Sequence, residues 1–167
     1  LLEPATTPTP VFCYVLRHKS RMGATRFDFF MSLSSTKDMY CFTGKKTSTT
    51  KLGGGSYIIS LDQDAKKSGG ESIIGKIKID RRSMEYTLGD TGAAPGSKQA
   101  KEGLTPQREL MHVHFINSLR NRDPGAMHVG IPAVDRDGSA ALIQPQSAKE
   151  TVEEMMKGTS PSIAVYK

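Results

Sequence analysis

Lys76 and Lys78 are the residues of this chain whose type and spacing most clearly suggest chemistry. They lie in Ile73-Ile74-Gly75-Lys76-Ile77-Lys78-Ile79-Asp80, where small or apolar residues alternate with charged ones. Alternation marks a strand with one buried face and one wet face. Ile73, Gly75, Ile77 and Ile79 share one face; Lys76, Lys78 and Asp80 share the other. Two lysines two residues apart project the same way, roughly 6–7 Å apart along the strand. That separation suits two phosphates of one polyanionic head group, or two neighbouring phosphates of a backbone. It equally suits a solvated outer face, because most exposed lysines bind nothing.

Other arrangements carry less. Gly44-Lys45-Lys46-Thr47 has the tail of a phosphate-binding P-loop, but the upstream glycine position is Met39. Gly53-Gly54-Gly55 reads as a flexible hairpin tip. With Lys45, Lys46 and Lys51 on the same loop it becomes a basic flap. His112 and His114 share one strand face and His128 lies on a nearby strand. A metal would need further ligands in fixed geometry, and no Cys or carboxylate pattern supplies them in the sequence. They read as plain sheet-face histidines. Asp135-Arg136-Asp137-Gly138 lacks the spacing of a calcium loop and reads as a turn. No nucleophile–base pair or carboxylate pair is visible, so the chain reads as a binding module without catalytic residues or a cofactor. Nucleic acid is the weaker anionic partner. No aromatic set interleaves with basic residues on one strand face, and no zinc-finger or helix-turn-helix spacing occurs.

The elements that must position these residues are short strands. β-forming runs fall at residues 11–17, 26–33, 39–43, 57–61, 73–80, 84–88, 108–115, 126–132 and 162–167. Turn residues separate them roughly every 8–15 positions, which argues a meandering antiparallel sheet or barrel. Residues 92–106 form a long polar insert expected to be a mobile loop. One helix is expected over residues 147–157. Ser147 and Glu150 hold capping-box positions at its start, and Gly158 stops it. The chain has 167 residues, one domain's worth, with a net charge of +6. Such charge favours anionic partners without choosing among them. Residues 1–10, with Pro4, Pro8 and Pro10, read as a linker remnant before a domain at 11–167. No apolar run is long enough to span a bilayer as a helix, so membrane contact is expected to be peripheral. Cys13 and Cys41 both sit in apolar strand-like runs and are expected as reduced, buried thiols.

Several of these runs resemble tubby and tubby-like proteins. The likeness lies in Ser56-Tyr57-Ile58-Ile59-Ser60-Leu61-Asp62 and in Gly69-Gly70-Glu71-Ser72-Ile73-Ile74-Gly75-Lys76-Ile77-Lys78. It continues at residues 84–92, at Gln107-Arg108-Glu109-Leu110, at Asn117-Ser118-Leu119, and through Pro124, Met127, Ile131 and Pro132. The resemblance implies an all-β fold with minor helix: an antiparallel barrel around a central hydrophobic C-terminal helix. Here the last strands and that helix are absent from the sequence, so the missing part of the same domain is an expected partner. The resemblance also implies binding of phosphatidylinositol 4,5-bisphosphate. Residues at the positions of Lys76 and Lys78 would hold the inositol phosphates, helped by Lys45, Lys46 and Ser56.

Two departures bear on that site. Lys78 stands where an arginine is usual, which exchanges a planar two-bond grip for a point charge. Gly125 and Ala126 stand where the family places basic residues. A lost charge-assisted bond to phosphate costs roughly 1.5–3 kcal/mol, and Arg120 and Arg122 are the nearby residues that would compensate. The resemblance further implies a cytoplasmic adaptor held peripherally at the plasma or ciliary membrane, trafficking membrane proteins. The alternative is a nuclear DNA-binding or transcription-linked protein. A third reading is lipid scrambling, on a related barrel.

Overall fold

Strand-forming residues with two-residue alternation recur along the chain, and the computed structural model pairs them in the order in which they occur. It describes residues 10–19, 25–34, 36–49, 55–63, 71–80, 84–116 and 125–167. Among the described residues nine strands hydrogen-bond in sequence as one antiparallel meander. They are β1 (Phe12–Lys19), β2 (Thr25–Ser34), β3 (Lys37–Thr49), β4 (Gly55–Ser60), β5 (Ile73–Asp80), β6 (Glu85–Gly89), β7 (Glu109–Phe115), β8 (Met127–Pro132) and β9 (Ile163–Tyr166). Among the described residues β1 and β9 do not pair with each other. The sheet is therefore an open, partial barrel. Among the described residues two short helices accompany it, α1 (Lys98–Lys101) and α2 (Val152–Lys157), with a 3-10 turn at Ala148–Glu150 before α2.

The sheet has two unlike faces. On one, Tyr57 lies opposite Ile77, and Ile79 opposite Tyr86. Val15, Phe27, Phe29, Phe42 and Ile59 join them around an open apolar hollow of ≈ 400 Å³. Phe29 and Phe42 stack at 4.7 Å between ring centroids, and Tyr86 meets Phe115 edge-on at 5.3 Å. The other face is polar in its middle and closed at one end by α2. There Ile143, Val152 and Ile163 form a small core with Met155 and Met156 packed on it.

Four expectations are corrected. Residues 44–49 do not leave the sheet as a loop; they extend β3, whose Lys45 and Lys46 pair with Ile58 and Tyr57. Residues 92–106 are not an open loop. Ala93 is buried, its amide donates to the Thr105 carbonyl, and its carbonyl accepts from the Gln107 amide. Cys13 is exposed, because both faces of β1 are open, while Cys41 is buried. The helix cap is Thr151, whose Oγ1 accepts from the Glu154 amide; Ser147 makes no side-chain cap. The expected linker at residues 1–10 lies outside the described residues, apart from Pro10.

Candidate functional site: a lysine cavity on the polar face

β5 places Lys76 and Lys78 on the polar face, as the alternation requires. Ser56 of β4 lies directly opposite Lys78, and Thr87 of β6 lies opposite it on the other side. The four side chains line one cavity of ≈ 410 Å³, closed laterally by Gly92, Gln107 and the start of α2. Lys78 is exposed and Lys76 half-buried. Among the described residues neither lysine is within ion-pairing distance of a carboxylate. The Ser56 hydroxyl is 2.9 Å from Thr47 Oγ1. Two ammonium groups and two flanking hydroxyls can together meet the oxygens of a multiply phosphorylated ring.

Register decides which other basic residues join them. Lys45 lies opposite Ile58, which lies opposite Lys76, so Lys45 shares the polar face. Lys46 lies opposite Tyr57 and so sits on the apolar face. The structure does not bring Lys46 to the lysine cavity. Arg26, opposite Lys45, is on the polar face and was not singled out from the sequence. Its guanidinium contacts Asp28 Oδ2 at 3.0 Å, as does His18 Nε2. Asp28 is buried and also accepts from Thr43 Oγ1 at 2.7 Å. Only the register discloses this row, because β2 and β5 are far apart in the chain. Gly125 and Ala126 do not line the cavity. Arg120, Arg122 and Lys51 lie outside the described residues.

The cavity also contains carboxylates. A register shift between Leu88 and Gly89 brings Glu109 onto the same face as His112, against simple alternation. Glu109 is buried, and its Oε2 accepts from the Val152 amide at 2.7 Å. It thereby satisfies a donor at the start of α2 that the helix itself leaves open. Burial pushes its carboxyl above the usual range, while the Val152 amide and the Lys78 charge pull it back. Glu153 borders the cavity too, but its Oε1 is 2.8 Å from Lys157 Nζ. Gln107 fixes the rim: its Nε2 donates to the Asp90 carbonyl, and it packs directly over Gly89 and Gly92. His112 is buried beside Thr87, and desolvation holds its imidazole below the usual range. No described helix is long and apolar enough to cross a membrane.

Comparison with known proteins agrees with this frame. The chain is 28% identical over 152 residues to human tubby-related protein 1, covering 90% of this chain and 28% of that protein. It is 25% identical over 157 residues to mouse tubby-related protein 2, covering 91% and 28%. It is 26% identical over 153 residues to human tubby-related protein 3, covering 90% and 35%. The chain thus spans about a third or less of these relatives' lengths. The profile described as "Tub family" matches residues 1–166, and the chain belongs to that family.

Proposed function

We propose that the polar face of β4–β6 docks the head group of a phosphoinositide lipid, phosphatidylinositol 4,5-bisphosphate by family analogy, and tethers the protein peripherally to a membrane. The observation that supports this reading is the shared cavity: Lys76 and Lys78 converge there without ion-pair partners among the described residues, between the hydroxyls of Ser56 and Thr87. Lys45, two strands away on the same face and outside the cavity lining, extends the positive face. Each basic residue near an anionic leaflet contributes about 1 kcal/mol to attraction. The module is then a non-catalytic adaptor at the cytoplasmic face of the plasma or ciliary membrane.

Co-sedimentation with vesicles containing about 5% phosphatidylinositol 4,5-bisphosphate tests the site, at near-physiological salt where the Debye length is about 8 Å. Lys76→Ala/Lys78→Ala is expected to abolish most binding, and Lys46→Ala to leave it nearly unchanged. Equal binding by the wild type and the double variant would sink the assignment. Binding to duplex DNA that outlasts binding to vesicles as salt rises would favour the nucleic-acid reading instead.

A further inference from the structure

The polar face carries a second cluster, next to the lysine cavity and chemically distinct from it. Glu85 of β6 lies directly opposite His114 of β7, and His114 opposite His128 of β8. One step along the sheet, Thr87 lies opposite His112. Residues opposite each other on one face hold their Cβ atoms about 4.5–5.5 Å apart. α2 then brings Glu153 over these rows. One ligand atom each from Glu85, His112 and Glu153 falls within 4.8 Å of the others. His114 and His128 line the same hollow of ≈ 240 Å³.

His112 is the anchor of the group. It is only 2% exposed, and its Nδ1 is 3.0 Å from Thr87 Oγ1. With Thr87 accepting from Nδ1–H, the lone pair falls on Nε2. A hydrogen bond of this kind on one ring nitrogen typically orients a metal-bound histidine through the other. We propose that Glu85, His112 and Glu153 form a site for a divalent transition-metal ion, with His114 or His128 supplying a fourth ligand. Mixed imidazole and carboxylate donors suit zinc. Calcium and magnesium favour all-oxygen shells.

Lys157 lines the same hollow and is paired with one of the proposed ligands. Its Nζ contacts Glu153 Oε1 at 2.8 Å and Glu154 Oε1 at 2.6 Å. Glu154 can keep that ammonium when Glu153 turns to the metal. The ion would tie α2 to β6 and β7, across the same interface that holds Val152 and Met156.

Zinc titration calorimetry on the chelator-treated protein tests the site, with cobalt substitution read by visible absorption. One zinc per chain is expected, with cobalt bands of low-coordinate geometry and a raised melting temperature. Glu85→Gln and Glu153→Gln, on half-buried residues, are each expected to weaken zinc at least about tenfold. Their metal-free melting curves check that they fold. Thr87→Val is expected to weaken zinc about 10–100-fold by releasing the His112 ring. Lys76→Ala/Lys78→Ala should bind zinc like the wild type, separating this site from the lipid site. Absence of zinc heat and cobalt bands overturns the proposal, as does wild-type affinity in a folded Glu85→Gln/Glu153→Gln variant.

Discussion

Lys78 sits between two hydroxyl-bearing neighbours, Ser56 and Thr87, and its charge reaches the buried carboxyl of Glu109. A lysine here offers one mobile point charge where a guanidinium would offer a planar fork. Lys78→Arg is therefore expected to tighten head-group binding by about 1 kcal/mol, roughly fivefold. The check is a soluble inositol phosphate titrated against both proteins. Glu109→Gln removes a negative charge from the cavity wall and is expected to tighten the same ligand several-fold. The carboxyl also sets a pH dependence. Its folded-state pKa lies above the ordinary value of 4.5. A raised acid favours the fold fully below that ordinary value and loses the contribution as pH rises through the folded pKa. Between pH 4.5 and 7, the stability of Glu109→Gln relative to wild type is expected to rise. Urea midpoints measured across that range test the sign.

At the scale of elements, α2 joins the lysine cavity to the rest of the polar face. It lies so close to β8 that a Cβ built on Gly130 would meet Met156 Sδ at 2.5 Å and Val152 Cγ1 at 3.0 Å. Gly130→Ala must push the helix away or distort its methionine, an overpacking expected to cost about 1–3 kcal/mol. Met156 is flexible and can yield in part, which sets the lower end. Thr151→Ala removes the cap on the Glu154 amide and is expected to cost about 0.5–2 kcal/mol. Denaturant unfolding reads both losses. The sequence placed a helix here correctly, but its capping-box reading put the start at Ser147 rather than at Thr151. A tertiary contact accounts for the difference: Glu109 reaches from β7 to the Val152 amide, and the α-helix starts there. Glu150 instead folds back onto the Gln146 amide at 2.7 Å and closes a 3-10 turn.

On the scale of the whole molecule, the sheet separates an apolar face from a basic one. With a net charge of +6, attraction to anionic vesicles is long-ranged and screened by salt. Membrane binding is expected to fall steeply between about 50 and 300 mM salt, which co-sedimentation would follow directly. Asp28 keeps the basic face ordered at its β2 end by holding both His18 and Arg26. Asp28→Asn leaves the part-exposed Arg26 guanidinium and the His18 ring with a weaker partner. A loss of about 1.5–3 kcal/mol is expected, as for a lost charge-assisted hydrogen bond, and thermal unfolding would show it.

The order and alternation of the strands were legible in the chain itself. Side-chain direction in an extended backbone follows from position alone, so Lys76 and Lys78 had to point together wherever β5 lay. Pairing register is not a local property, and the tertiary structure alone assigned it. It turned Lys46 to the apolar side, set Arg26 beside Lys45, and slipped β7 by one residue to bring Glu109 into the cavity. It also gathered Glu85, His112 and Glu153 from two strands and a helix. Such groupings depend on bulges and on where a helix lands, which are settled by packing between segments remote in sequence.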